Sequence, residues 1–151
     1  MSTAKKIKTG ILSTVLTLIL LFLNTFGLSA FAKDETVSPL YNNVNITYTN
    51  FIISSSGLAT ISIGYTGYSG ITSGAVIKSY VQKKTLGLFW TRVDNGQANK
   101  EWVDTATGSI YSKSHTLQLK SKGTYRLVVE YTINGSGGTS DKPSSTIIRE
   151  Y

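Results

Sequence analysis

From residue 40 onward apolar and polar side chains alternate with a period of two, and no window repeats convincingly at 3.6 residues. That period belongs to strands, whose successive side chains point to opposite faces. It is strongest at Tyr125, Leu127, Val129, Tyr131 and Ile133, five consecutive inward positions. Earlier, Ala59, Ile61, Ile63 and Tyr65 alternate with Thr60, Ser62 and Gly64 in a strand near 57–66. A first strand is expected near 42–49, with Val44, Ile46 and Tyr48 on one face. Further strands are expected near 74–84 (Ile77, Ser79 and Val81 sharing a face), near 88–93, through His115, Leu117 and Leu119, and near 145–150. The segment 94–108 is polar and turn-rich apart from Trp102 and Val103, so it is expected to be a long loop. Seven short strands at this spacing predict an all-β, two-sheet sandwich with Greek-key connections over 41–151.

The chain before residue 40 has a different character. Lys5, Lys6 and Lys8 precede an apolar run from Ile11 to Leu23, and Ala30-Phe31-Ala32 supplies small residues two apart. This is the pattern of a secretory signal peptide cleaved after Ala32. An uncleaved anchor is the alternative, but the run is shorter than the roughly 20 residues of a spanning helix. Residues 1–32 are therefore expected to be a signal peptide and 33–40 a short linker. No stable membrane span is expected after processing, and the product is expected to be secreted, with at most a loose association with the cell wall.

Cleavage would remove three of the fifteen basic residues and none of the eight acidic ones, leaving a charge of +4. The remaining cations are scattered, with Lys83-Lys84 the densest pair, which argues against a nucleic-acid groove. The chain contains no cysteine, so it has no disulfide staple, thiol nucleophile or cysteine metal cage. A domain of this size can bury a core by packing alone.

Few residues point to chemistry. His115 is the only histidine, and no serine sits in a nucleophile elbow, although Asp94, Asp104 and Asp141 lie where an acid partner is conceivable. Glu101, Asp104, Glu130, Asp94 and Asp141 are the carboxylates from which a glycosidase pair would have to come. Asp94-Asn95-Gly96 lacks the rest of a calcium loop. No enzyme activity, metal or cofactor is expected. The aromatics say more. Trp102, and Tyr68 in the Gly67-Tyr68-Ser69-Gly70 turn, have no clear place in the alternating core. Each either plugs the sandwich or meets a ligand. The sequons Asn45-Ile46-Thr47 and Asn134-Gly135-Ser136 carry meaning only in a eukaryotic secretory pathway.

The run Leu119-Lys120-Ser121-Lys122-Gly123-Thr124-Tyr125 resembles the tyrosine corner of immunoglobulin-like and fibronectin type III domains. The resemblance implies structural roles for Leu119 and Tyr125, with the Tyr125 phenol bonded to the backbone of the 119–123 turn. Tyr41-Asn42-Asn43-Val44, Val81-Gln82-Lys83-Lys84 with Phe89-Trp90, and Lys122-Gly123-Thr124-Tyr125-Arg126 together make the chain similar to small uncharacterised secreted proteins of Gram-positive bacteria. That similarity implies a compartment and a fold. The functional expectation is a non-catalytic extracellular or cell-surface interaction domain, meeting a cell-wall polymer, a glycan or an extracellular protein through loops at one end. Small size, positive charge and aromatic content leave a secreted antimicrobial or toxin-like protein as the alternative.

Overall fold

The computed structural model describes residues 40–151, so the expected signal peptide at 1–32 and all but the last residue of the 33–40 linker lie outside the described residues. Eight strands follow in order: β1 (Val44–Ile53), β2 (Leu58–Gly67), β3 (Thr72–Thr85), β4 (Phe89–Arg92), β5 (Trp102–Thr107), β6 (Ile110–Gln118), β7 (Thr124–Gly135) and β8 (Ser144–Glu150). A short 3-10 turn, Ala98–Lys100, lies between β4 and β5. All pairings are antiparallel. One sheet has the order β1-β2-β6, and the other runs β4-β3-β7-β8 with β5 also paired to β3.

The alternation in β2 and β7 becomes the core directly. Ala59, Ile61, Ile63 and Tyr65 face Leu127, Val129, Tyr131 and Ile133 across the two sheets, all buried, with Ile77 and Val81 from β3 and Phe51 from β1 completing the layer. Ser79 lies on the same buried face of β3. Each buried phenol sends its hydroxyl to a carbonyl near the rim: Tyr65 to Gly108 at 2.8 Å, Tyr131 to Tyr48 at 2.8 Å, and Tyr125 to Ser121 at 2.5 Å. The rings thus bury apolar area without stranding a polar group.

Two expectations about strands are corrected. In β1 the register shifts between Val44 and Ile46, a bulge that adds a residue and turns the following side chains to the other face. Val44 stays buried, but Ile46 and Tyr48 point outward at 60% and 43% exposure, and Phe51 supplies the core instead. Outward-facing Tyr48 has its own use, because its ring covers Gly64 on β2, where any Cβ would collide with it. The second correction concerns 94–108. Its latter half is β5, so the described residues hold eight strands rather than seven, and Trp102 begins a strand. β3 is long enough, at 14 residues, to pair with β4 at Gln82–Thr85 and with β5 at Gly74–Ser79 along the same edge.

One end of the sandwich is fastened by Asp141. Its carboxylate is buried and accepts the backbone N–H groups of Asn42, Asn43 and Val44 at 3.3, 2.6 and 3.0 Å. The Asn43 side chain adds a bond to the Thr139 carbonyl and accepts from the Gly137 N–H, tying the β7–β8 loop to the entry of β1. Charge-assisted bonds of this kind are the strong ones.

Candidate functional site

β5 and β6 are joined by the Gly108-Ser109 turn but belong to opposite sheets, so they diverge along the open edge of the sandwich. On β5, alternation turns Trp102, Asp104 and Ala106 toward the interior while Val103, Thr105 and Thr107 face out. On β6, the same rule places Tyr111, Lys113, His115 and Leu117 on one face. The two rows meet in a concave groove of about 340 Å³, lined by Gln97, Trp102, Val103, Asp104, Lys113 and His115.

Asp104 is the centre of this groove. Its side chain is only 5% exposed, and both oxygens are engaged: Oδ2 lies 2.7 Å from His115 Nε2, and Oδ1 accepts from Lys113 Nζ at 3.2 Å. A buried carboxylate requires such partners. The Trp102 and His115 rings stack with centroids 4.8 Å apart and planes at 15°. The hydrogen bond to Asp104, followed by the charge of that carboxylate, pushes the Lys113 ammonium above its usual range. Burial raises the neighbouring Tyr111 phenol, and the Asp104 charge adds to the shift. Beside the groove, Arg92 binds Glu101 at 3.0 Å and the Asn99 carbonyl at 2.9 Å while its guanidinium lies 3.9 Å from the centroid of the Tyr80 ring. That clamp fixes the 97–101 segment and with it the position of Gln97.

The sequence-predicted residues fall in different places. Trp102 is half-buried and lines the groove, whereas Tyr68 is 39% exposed in the β2–β3 turn. Trp102 pairs with Ser79 and Tyr68 precedes Thr72, so seven strand positions, roughly 20 Å, separate them along β3. They do not form one site. Leu119 is buried, and Tyr125 holds the Ser121 carbonyl of the same turn. The Asp104–His115–Lys113 cluster is not legible in the sequence, where the polar, turn-rich composition of 94–108 conceals β5. The β-branched outward residues Val103, Thr105 and Thr107 were the available signal for a strand.

The Asp104 carboxylate at the centre of the groove is engaged by Lys113 and His115. Asp141 is likewise spent on backbone N–H groups, and Glu101 on Arg92. What the groove presents is an indole, an amide and the ammonium of Lys113. No protein-family model matches the chain, and no curated protein matches it.

Proposed function

We propose that residues 33–151 are an exported, non-catalytic binding domain that holds a cell-wall polymer or another glycan in the β5–β6 groove. The observation that carries this reading is the placement of the Trp102 indole beside Gln97, Asp104, Lys113 and His115 on one concave edge. Sugar rings offer an apolar face for stacking and a rim of hydroxyls for hydrogen bonding, and ligand sites of this kind pair an aromatic with a few fixed polar groups. The finer fold belongs to the same proposal: an immunoglobulin-like, fibronectin type III-like sandwich of the kind found in small secreted Gram-positive proteins. Three strands facing a four-strand path, together with the Tyr125 hydroxyl on the Ser121 carbonyl, support it.

Two experiments test the proposal. N-terminal sequencing of culture supernatant is expected to find Lys33 first, and protein retained only in membranes with an intact N-terminus contradicts export. Retention of residues 33–151 on washed cell walls is expected to fall about tenfold or more in Gln97→Ala/Lys113→Gln, the loss typical of contact residues at the centre of a site. Both side chains are exposed, the glutamine amide keeps a donor beside Asp104, and a urea melt establishes that the variant is folded. Unchanged retention in that folded variant removes the groove as the binding site. Growth inhibition of neighbouring species without wall retention favours the antimicrobial or toxin-like alternative.

A further inference from the structure

The β3–β4 hairpin ends in a turn that is chemically unlike the rest of the surface. Leu86, Leu88 and Phe89 stand 84%, 75% and 63% exposed, and they are contiguous apart from Gly87. Hairpin tips are ordinarily polar. The backbone sharpens the anomaly, because Leu86 and Gly87 have φ of 53° and 70° and the Leu88 N–H closes the turn on the Thr85 carbonyl at 3.2 Å. Three residues, Leu86 to Leu88, connect the paired Thr85 and Phe89, and at the positive φ of residue 86 asparagine, aspartate or glycine is the usual choice, since a bulky side chain there is strained. A leucine there lowers the stability of the fold and contributes nothing to its core.

Lysines surround the tip. Lys83 and Lys84 flank it on β3, and β7 pairs with β3 at Tyr125↔Lys83, which brings the Leu119–Gly123 turn, with Lys120 and Lys122, to the same end. Lys83 Nζ bonds the Ser121 hydroxyl at 2.6 Å across this gap. Asp94 and Glu150 lie at this end as well, and Glu101 is paired with Arg92 of β4, so lysines predominate around the turn itself. Trp90, half-buried with Arg126 at 4.4 Å from its ring centroid, stands behind the tip where an interfacial aromatic would sit.

We propose that the β3–β4 turn is a lipid-contact tip that docks the domain on an anionic membrane surface. Leu86, Leu88 and Phe89 enter the headgroup boundary, and Lys83, Lys84, Lys120 and Lys122 meet the lipid phosphates. Shallow apolar insertion and lysine attraction to anionic lipid reinforce each other, and each alone gives weak binding. The charge complementarity selects lipid over a second copy of this chain, which would bring like-charged lysine collars together. The tip lies six strand positions, roughly 20 Å, beyond Ser79, so this contact is independent of the β5–β6 groove.

The absence of cysteine permits a direct test on the intact chain. An environment-sensitive dye is attached at Leu88→Cys or, as the control at the opposite end of β3, at Ser69→Cys. Phosphatidylglycerol-containing and pure phosphatidylcholine vesicles are then titrated. The expected result is a blue shift at position 88 with the anionic vesicles alone, no shift at position 69, and suppression of the position 88 shift by salt. With the dye at Leu88→Cys, adding Leu86→Asn/Phe89→Ser weakens the transition about tenfold or more, the effect of withdrawing two apolar side chains from a bilayer. That variant melts no lower than the parent, because Leu86→Asn suits the turn. The proposal is overturned if position 88 shows no shift, if both positions shift alike, or if neutral vesicles act as well as anionic ones. It is equally overturned if the dye responds only to protein concentration, which assigns the tip to self-association.

Discussion

Tyr125 and Leu127 sit two residues apart on the same face of β7 and do different work. Tyr125 contributes ring burial and one bond to Ser121, whereas Leu127 is enclosed by both sheets with no exposure at all. Removing the phenolic oxygen in Tyr125→Phe is expected to cost about 1 kcal/mol, the net value of one hydrogen bond. Leu127→Ala leaves a cavity, and its expected cost is about 2–4 kcal/mol. Urea melts of the two variants check the order; a neutral Tyr125→Phe with a mild Leu127→Ala contradicts the placement of the turn. Trp102 lies between these cases. Half-buried against the core and stacked on His115, it both plugs the sandwich edge and faces the groove.

At the scale of elements, β5 and β6 hold the open edge together through side chains, because they share no backbone ladder. Asp104 is the principal link. Asp104→Asn keeps the shape but gives up the charge that Lys113 and His115 share, and unfolding free energy is expected to fall by about 1–3 kcal/mol. Combined with His115→Ala, the two losses should fall short of additive, and strict additivity in the double-mutant cycle contradicts a direct link. This edge was also the least legible part of the sequence. β2 and β7 were plain because each has one fully apolar face. β5 was concealed because its inward row, Trp102, Asp104 and Ala106, mixes a charge with apolar groups, and the charge becomes sensible only beside residues 113 and 115. The β1 bulge was equally silent. Val44, Ile46 and Tyr48 alternate as an inward row would, and it takes the pairing with β2 to reveal the extra residue. The tyrosine-corner residues were visible because their spacing is local.

Across the whole molecule, stability should decline at alkaline pH. Burial holds the phenols of Tyr65, Tyr111 and Tyr131 above their ordinary value of 10.0, and Asp104 holds Lys113 above 10.5. In each case the folded state keeps its proton at a pH where the unfolded chain gives it up. The folded state therefore binds more protons, and unfolding free energy falls as pH rises past the ordinary values toward the raised ones. Thermal melts are expected to be level near neutrality and to drop steeply above about pH 10. Tyr131→Phe flattens that drop, although it also loses the bond to the Tyr48 carbonyl. A melting temperature that holds or rises in this range contradicts the burial of the phenols.

The proposed binding role needs a contact surface on a rigid frame, and the β5–β6 groove is framed by two sheets, the Asp104 cluster and the Arg92 clamp. The most direct test is a two-dimensional NMR titration of residues 33–151 with soluble cell-wall glycan fragments, following backbone amides and the two indole N–H groups. The account predicts shifts concentrated at the Trp102 indole and at Gln97, Lys113 and His115, with the Trp90 indole unmoved. Saturable shifts elsewhere that leave these four residues unmoved, or fragments cleaved during the titration, would contradict it.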